Sequence, residues 1–146
     1  EVSRTLYDYA HGVDRRDWPG FRDCFCDEVE IDLSSYNGQP SVTMSLDDWV
    51  ESVRSGLSGF EATQHISANH LIEIEGDRAH ATSEFQASHM LEGERVVLAG
   101  WYDTQLRRER GRWRISRSQL NATWTQGPVA LYARAAERFA AMQSQD

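Results

Sequence analysis

The sequence predicts an α+β fold in which a curved, mixed or antiparallel sheet wraps around N-terminal helices and leaves a cone-shaped pocket open at one end. Three observations carry this. Helical three- and four-residue spacing dominates residues 1–59, and long alternating segments separated by very short turns fill 63–124. An alanine-rich amphipathic segment then closes the chain. Helices gathered early and strands gathered late describe one α+β domain over 1–146, and a curled sheet of this kind makes a ready small-molecule pocket.

Each element follows from local chemistry. In 2-VSRTLYDYAHGVDRRDW-18, Val2, Leu6, Tyr9 and Val13 recur at helical spacing among charged residues, which predicts an amphipathic first helix. Asp17 is an N-cap candidate for a short second helix with Pro19 in its first turn. The run 29-VEIDLSSY-36 alternates like a strand, and 37-NGQP-40 has turn chemistry. In 45-SLDDWVESVRSGLSG-59, Ser45 and Asp48 resemble a capping box, and Leu46, Trp49, Val50 and Val53 form the buried stripe of a helix. Four strands are expected at about 63–75, 78–91, 95–109 and 112–124. The turns Glu75-Gly76-Asp77, Glu92-Gly93-Glu94 and Arg110-Gly111 are short enough to force antiparallel pairing. Residues 129–142 predict a terminal helix that docks on its own sheet or on a neighbour's.

Composition limits the partners. A formal charge of -8 without a basic block argues against nucleic acid and anionic membrane, which both need clustered Lys and Arg. No apolar run approaches the ~18 residues of a membrane span. Cys24 and Cys26, separated by one residue, suit neither an ordinary disulfide nor a zinc site, and predict a reduced, cytoplasmic chain. Small molecules and other proteins remain.

Alternation places candidate chemistry on faces. Along 78–91 the inward set is Ala79, Ala81, Ser83, Phe85, Ala87, His89 and Leu91. Along 112–124 the face of Trp113 and Ile115 continues through Arg117, Gln119 and Asn121, which predicts an inward arginine. Such a group needs an inward carboxylate, a bound anion or a substrate oxygen. In 63-TQHISANHLIEIEGD-77 strict alternation turns His70 inward and His65 outward, whereas one bulge between them reverses His65. Periodicity leaves both readings open. Asp14 lies near a helix C-terminus, where the dipole disfavours an anion, so a cation or hydrogen-bond donor is expected beside it. A sheet histidine would serve and would gain from the carboxylate the orientation of a general base. The plainer readings are a half-exposed strand residue for His65, a satisfied core or interface position for His70, a structural donor for His89 and pairing with Arg15 or Arg16 for Asp14. Trp49, Trp113 and Phe85 read first as core aromatics.

The segments 9-YAHGVDRRDWPGFRDCFCDEVEID-32 and 63-TQHISANH-70 resemble the nuclear transport factor 2-like superfamily in its SnoaL-like branch, which includes scytalone dehydratase, bile-acid 7α-dehydratase and hexachlorocyclohexane dehydrochlorinase. The resemblance implies that Asp14 and His65 form a catalytic pair, with His89 and Tyr9 as further catalytic candidates. It also implies work without cofactor or metal, and a homo-oligomer of two or three chains. Tyr102, Arg117, Phe85, Trp49 and Asn121 are the candidate substrate contacts. Departures are visible. Val13 and Leu33 occupy the positions of two cavity tyrosines of scytalone dehydratase, and Ser118 rather than Arg117 falls where the dehydrochlorinase has its arginine. The expected activity is a cofactor-independent lyase of dehydratase type, using general acid-base catalysis on a small hydrophobic, cyclic, polyketide- or steroid-like substrate. A cyclase or isomerase of a natural-product pathway uses the same pair, and a non-catalytic small-molecule-binding or assembly module is the reading from another class.

Overall fold

A computed structural model describes residues 1–145. Helix α1 (Val2–Arg15) buries Val2, Leu6, Ala10 and Val13 at the expected spacing. It ends at Arg16, whose backbone is left-handed (φ 58°), and the Asp17 N–H returns to the Gly12 carbonyl at 2.9 Å. The Asp17 carboxylate then accepts the Gly20 N–H at 3.0 Å and starts α2 (Trp18–Arg22).

Strand β1 (Phe25–Asp32) begins and ends earlier than the run 29–36 predicts. The Asp32 side chain accepts the Ser34 N–H at 2.9 Å and bends the chain into the single turn α3 (Ser34–Asn37). An additional strand, β2 (Val42–Ser45), covers the edge beside β1, and its mostly exposed residues leave no alternation to read. Ser45 caps α4 (Leu46–Leu57): its hydroxyl accepts the Asp48 N–H at 3.1 Å and donates to the Asp48 carboxylate at 2.8 Å.

The meander follows as β3 (Ala62–Glu75), β4 (Arg78–Leu91), β5 (Glu94–Glu109) and β6 (Arg112–Gln126). The sheet order is β2-β1-β6-β5-β4-β3, antiparallel except where β1 runs parallel to β6. The helices pack on its concave face, where Val13, Phe21, Phe25 and Trp49 meet Ala81, Leu106, Trp113 and Ile115. The terminal helix α5 (Ala130–Gln143) docks on its own chain, with Leu131 and Ala135 against Phe60, Leu91 and Val96. Gly59 permits that approach, because a Cβ there would lie 1.7 Å from the Ala135 carbonyl oxygen.

Two bulges decide which side chains reach the concave side. In β3, Asn69 and His70 together oppose Ser83, with Asn69 in the left-handed region (φ 52°). Residues before the bulge therefore face inward at odd numbers, so His65 pairs with the inward Ala87 and Ile66 with the outward Gln86. In β6, Ser116 and Arg117 separate Ile115 (opposite Leu106) from Ser118 (opposite Thr104). The inward face beyond that point is Ser118 and Leu120, and the predicted continuation through Arg117, Gln119 and Asn121 is turned to the outer face.

Candidate active site

A cavity of about 300 Å³ opens between α1, α4, α5 and the concave face. Most of its wall is apolar, from Leu33, Trp49, Phe85, Leu98 and Leu120, and its polar groups fall into two clusters.

The first cluster is built on the end of α1 and the start of β3. The Asp14 carboxylate receives three hydrogen bonds. One Oδ takes the His65 Nδ1–H at 2.7 Å and the Thr63 hydroxyl at 3.0 Å, and the other takes the His65 backbone N–H at 2.7 Å. A carboxylate can only accept, so the His65 Nδ1 carries the proton and Nε2 is left as the basic nitrogen. Burial raises the Asp14 pKa, but the hydrogen bonds from His65, its charge when protonated and the Thr63 hydroxyl outweigh this and hold the acid below its usual value. The side chains of His65 and Asp14 are 9% and 20% exposed, so the pair sits at the cavity wall with little solvent competition.

His89 from β4 stands edge-on to His65, with ring centroids 5.5 Å apart. Its Nδ1 lies 3.2 Å from the Tyr132 hydroxyl, and Phe60 packs on the ring. Burial above all, and then the neighbouring His65, lower its pKa to about 4, so at neutral pH it is an uncharged imidazole.

The second cluster lies across the cavity. The Tyr9 and Tyr102 hydroxyls are 3.5 Å apart, and Phe85 packs on Tyr102 at 4.5 Å. Burial raises both phenols, Tyr102 well above its ordinary value, so both remain protonated donors.

Of the residues singled out in the sequence, His65, Asp14, His89, Tyr9, Tyr102, Phe85 and Trp49 all come to this cavity or its wall. Trp49 and Phe85 are also buried core residues. Arg117 and Asn121 do not come to it. Arg117 lies on the outer face near Glu30 (3.4 Å), Asp32 (3.7 Å) and Asp103 (3.8 Å), the carboxylates that a partly buried guanidinium requires. Asn121 lies opposite Trp101 on the same outer side. The cause is the Ser116–Arg117 bulge, which one-face alternation does not anticipate. His70 bonds to the hydroxyls of Ser67 (2.8 Å) and Ser3 (2.9 Å) and stacks on Tyr7, which ties the bulge to α1.

Three groups at the site escaped the sequence reading, Thr63, Tyr36 and Tyr132, and a fourth, Arg16, entered it only as a pairing partner for Asp14. Thr63 shares the inward parity of His65 and could have been found from it. Arg16 reads in the sequence as a pairing partner for Asp14, yet it donates to the carbonyls of Val13, Leu57 and Phe60 and reaches the carboxylate through Thr63. Tyr36 and Tyr132 depend on how α3 and α5 fold over the cavity mouth, where their rings meet at 6.0 Å. Cys24 and Cys26 are buried free thiols, pushed up to about 12 and about 11 mainly by burial, and are unreactive by that measure. Among the described residues no group of three His, Cys, Asp or Glu side chains gathers as a metal site, and no helix is long and apolar enough to cross a membrane.

A sheet curled around helices, with a carboxylate-bound imidazole at the wall of an apolar cavity, defines the class as a cone-shaped nuclear transport factor 2-like protein. Within it the chain belongs to the SnoaL-like domain family, whose sequence model matches residues 1–119. Among solved structures, a protein of Kribbella flavida is 28% identical, with 94% of this chain and 95% of that chain covered and a TM-score of 0.83. A scytalone dehydratase candidate of Novosphingobium aromaticivorans is 22% identical over 87% and 85%, with a TM-score of 0.76. A hexachlorocyclohexane dehydrochlorinase of Novosphingobium barchaimii is 17% identical over 88% and 88%, with a TM-score of 0.69. At such identities the last two share the fold. No curated protein matches the chain in sequence.

Proposed function

We propose that this protein is a cofactor-independent lyase of dehydratase type acting on a small, mainly apolar cyclic molecule. The observation that carries the reading is the 2.7 Å contact between Asp14 and the His65 Nδ1 at the wall of an apolar cavity. It orients Nε2 as a general base and stabilises the imidazolium that forms. The likeness to a scytalone dehydratase candidate and to a dehydrochlorinase, both named for eliminations, supports the same class.

The proposed sequence balances without an added reagent. A substrate carbonyl oxygen accepts hydrogen bonds from Tyr9 and Tyr102, which acidifies the adjacent C–H. His65 Nε2 takes that proton, the C–H electron pair becomes the new double bond, and the β-hydroxyl departs. The imidazolium returns its proton to the departing oxygen, so water leaves and His65 is neutral again. His89, uncharged, contributes a hydrogen bond and no charge. An isomerase uses the same first proton transfer and differs in returning the proton to carbon.

The test is a panel of uncharged cyclic β-hydroxy ketones, with the conjugated enone followed by its ultraviolet absorbance. The expected result is enone formation that His65→Ala slows by about 10²–10⁴-fold while the chain still folds. Ligand binding without any turnover would instead identify a binding or assembly module. We also propose a homo-oligomer through the outer sheet face, where Ile66, Leu71 and Trp124 are exposed, and sedimentation of the folded chain as a monomer would refute it.

A further inference from the structure

Arg16 sits where a charged side chain is costly. Its backbone is left-handed, a conformation that favours glycine, and a glycine would end α1 with less strain. Its guanidinium is folded under the chain between α1, the end of α4 and the start of β3. Every direct acceptor is neutral: the carbonyls of Val13 (2.6 Å), Leu57 (3.0 Å) and Phe60 (3.4 Å), and the Thr63 hydroxyl at 3.1 Å. Burial lowers its pKa, and the charge of nearby Asp14 partly offsets this.

The Thr63 contact gives the arrangement a direction. Arg16 cannot accept a hydrogen bond, so the single Thr63 hydroxyl proton is free for Asp14 Oδ1 at 3.0 Å, the oxygen that also takes the His65 Nδ1–H. A chain of donors therefore runs from Arg16 through Thr63 to the carboxylate. Carbonyls alone could be satisfied by a neutral amide, whereas only a cation adds a positive charge beside the pair. The other ionisable groups lining the cavity are Tyr9 from α1, Tyr36 from α3, His89 from β4, Tyr102 from β5 and Tyr132 from α5. All five are neutral near pH 7, which leaves Arg16 as the charge that balances the site.

We propose that Arg16 is a positioning residue for the Asp14–His65 pair: through Thr63 it fixes the carboxylate against the imidazole, and its charge offsets that of the carboxylate. The inference rests on the general-base reading above. The sign follows directly, since loss of a nearby cation favours the imidazolium and extends the inactive protonated form to higher pH.

The test uses 5-nitrobenzisoxazole, a small uncharged probe opened by loss of one C–H proton. The C–H electron pair forms the nitrile, the N–O bond breaks and a coloured phenolate is released. Rates are measured against pH for the parent, His65→Ala, Thr63→Val, Arg16→Gly and Arg16→Lys. Thr63→Val keeps the charge and cuts the link, so its plateau should fall about tenfold with the acid limb unmoved. Arg16→Gly should move the acid limb to higher pH, and Arg16→Lys should return it toward the parent. Parent-like profiles for both Thr63→Val and Arg16→Gly, with His65→Ala inactive, would overturn the role of Arg16 alone. A parent-like rate for His65→Ala would overturn the base reading itself. If Arg16→Gly does not fold, Thr63→Val decides, and a parent plateau there is fatal to the inference.

Discussion

Strands β3 and β6 lie on either side of the β5–β4 pair, and a bulge resets the alternation of each, with opposite consequences for charge. The bulge at Asn69–His70 turns Thr63, His65 and Ser67 toward the concave side. The bulge at Ser116–Arg117 turns a guanidinium away from it and presents Ser118 and Leu120 instead. One strand thus delivers an imidazole to the cavity, while the other sends its charge to an outer cluster with Glu30, Asp32 and Asp103. The difference teaches that this cavity admits ionisable groups only where the fold already supplies their partners. Asp14, with three donors, is the carboxylate so equipped on the inner side.

Substitutions at the two strands should break this comparison unequally. The largest contrast is kinetic. His65→Ala should cost about 3–5 kcal/mol of transition-state stabilisation in the enone assay, whereas Arg117→Leu should leave the rate within about twofold. Equal losses at the two positions would place Arg117 back in the site.

Next in size is the pH dependence of stability set by His89 on the intervening β4. Its folded pKa of about 4 lies below the ordinary value of 6.5, so the unfolded chain binds the proton first. Stability should fall as pH drops from 6.5 toward 4, by up to about 3 kcal/mol, and the loss should stop below that window. Urea unfolding of the parent and of His89→Phe at pH 7 and pH 4.5 measures it, with the smaller pH dependence expected in the variant. Asp14 behaves in the same sense at lower pH. Its pKa is depressed, so its contribution is present above the usual carboxylate value and lost as pH falls through the folded one.

A smaller effect sharpens the role of the β3 bulge. Asn69 holds φ 52°, which a β-branched side chain resists, so Asn69→Val should destabilise by about 1–2 kcal/mol while Asn69→Gly is close to neutral. Thermal melts of the two variants decide it. The smallest effect belongs to the outer cluster. Arg117 is 22% exposed at the side chain and shares its carboxylates, so Arg117→Leu should change stability by about 1 kcal/mol or less, with the effect shrinking in salt.

The same two strands show how far sequence carries. The order of helices and strands, the Asp17 and Ser45 caps and the inward face of β4 are all local properties and could be read directly. His65 and Asp14 could be proposed from helix position, strand phase and family resemblance, because the Asn69–His70 bulge was an alternative the pattern allowed. The second bulge left a fainter trace. Residues 116–119 are all polar, so the shift in phase at Ser116 shows only at Leu120, a single apolar residue on the wrong face of the strict alternation. The edge strand β2 and the turn α3 depend on the Asp32 side chain and on pairing with β1 rather than on periodicity. Arg16, Tyr36 and Tyr132 are set by contacts between segments distant in sequence, which local spacing does not encode.

The most direct test of the central claim is the tautomer of His65 in the neutral ring, read from its two ring ¹⁵N shifts in the parent and in Asp14→Asn. The Asp14 contact predicts a protonated Nδ1 and an unprotonated Nε2 directed at the cavity, with that preference weakened in Asp14→Asn. A parent ring protonated at Nε2 would leave no basic nitrogen facing the substrate, and would contradict His65 as the general base.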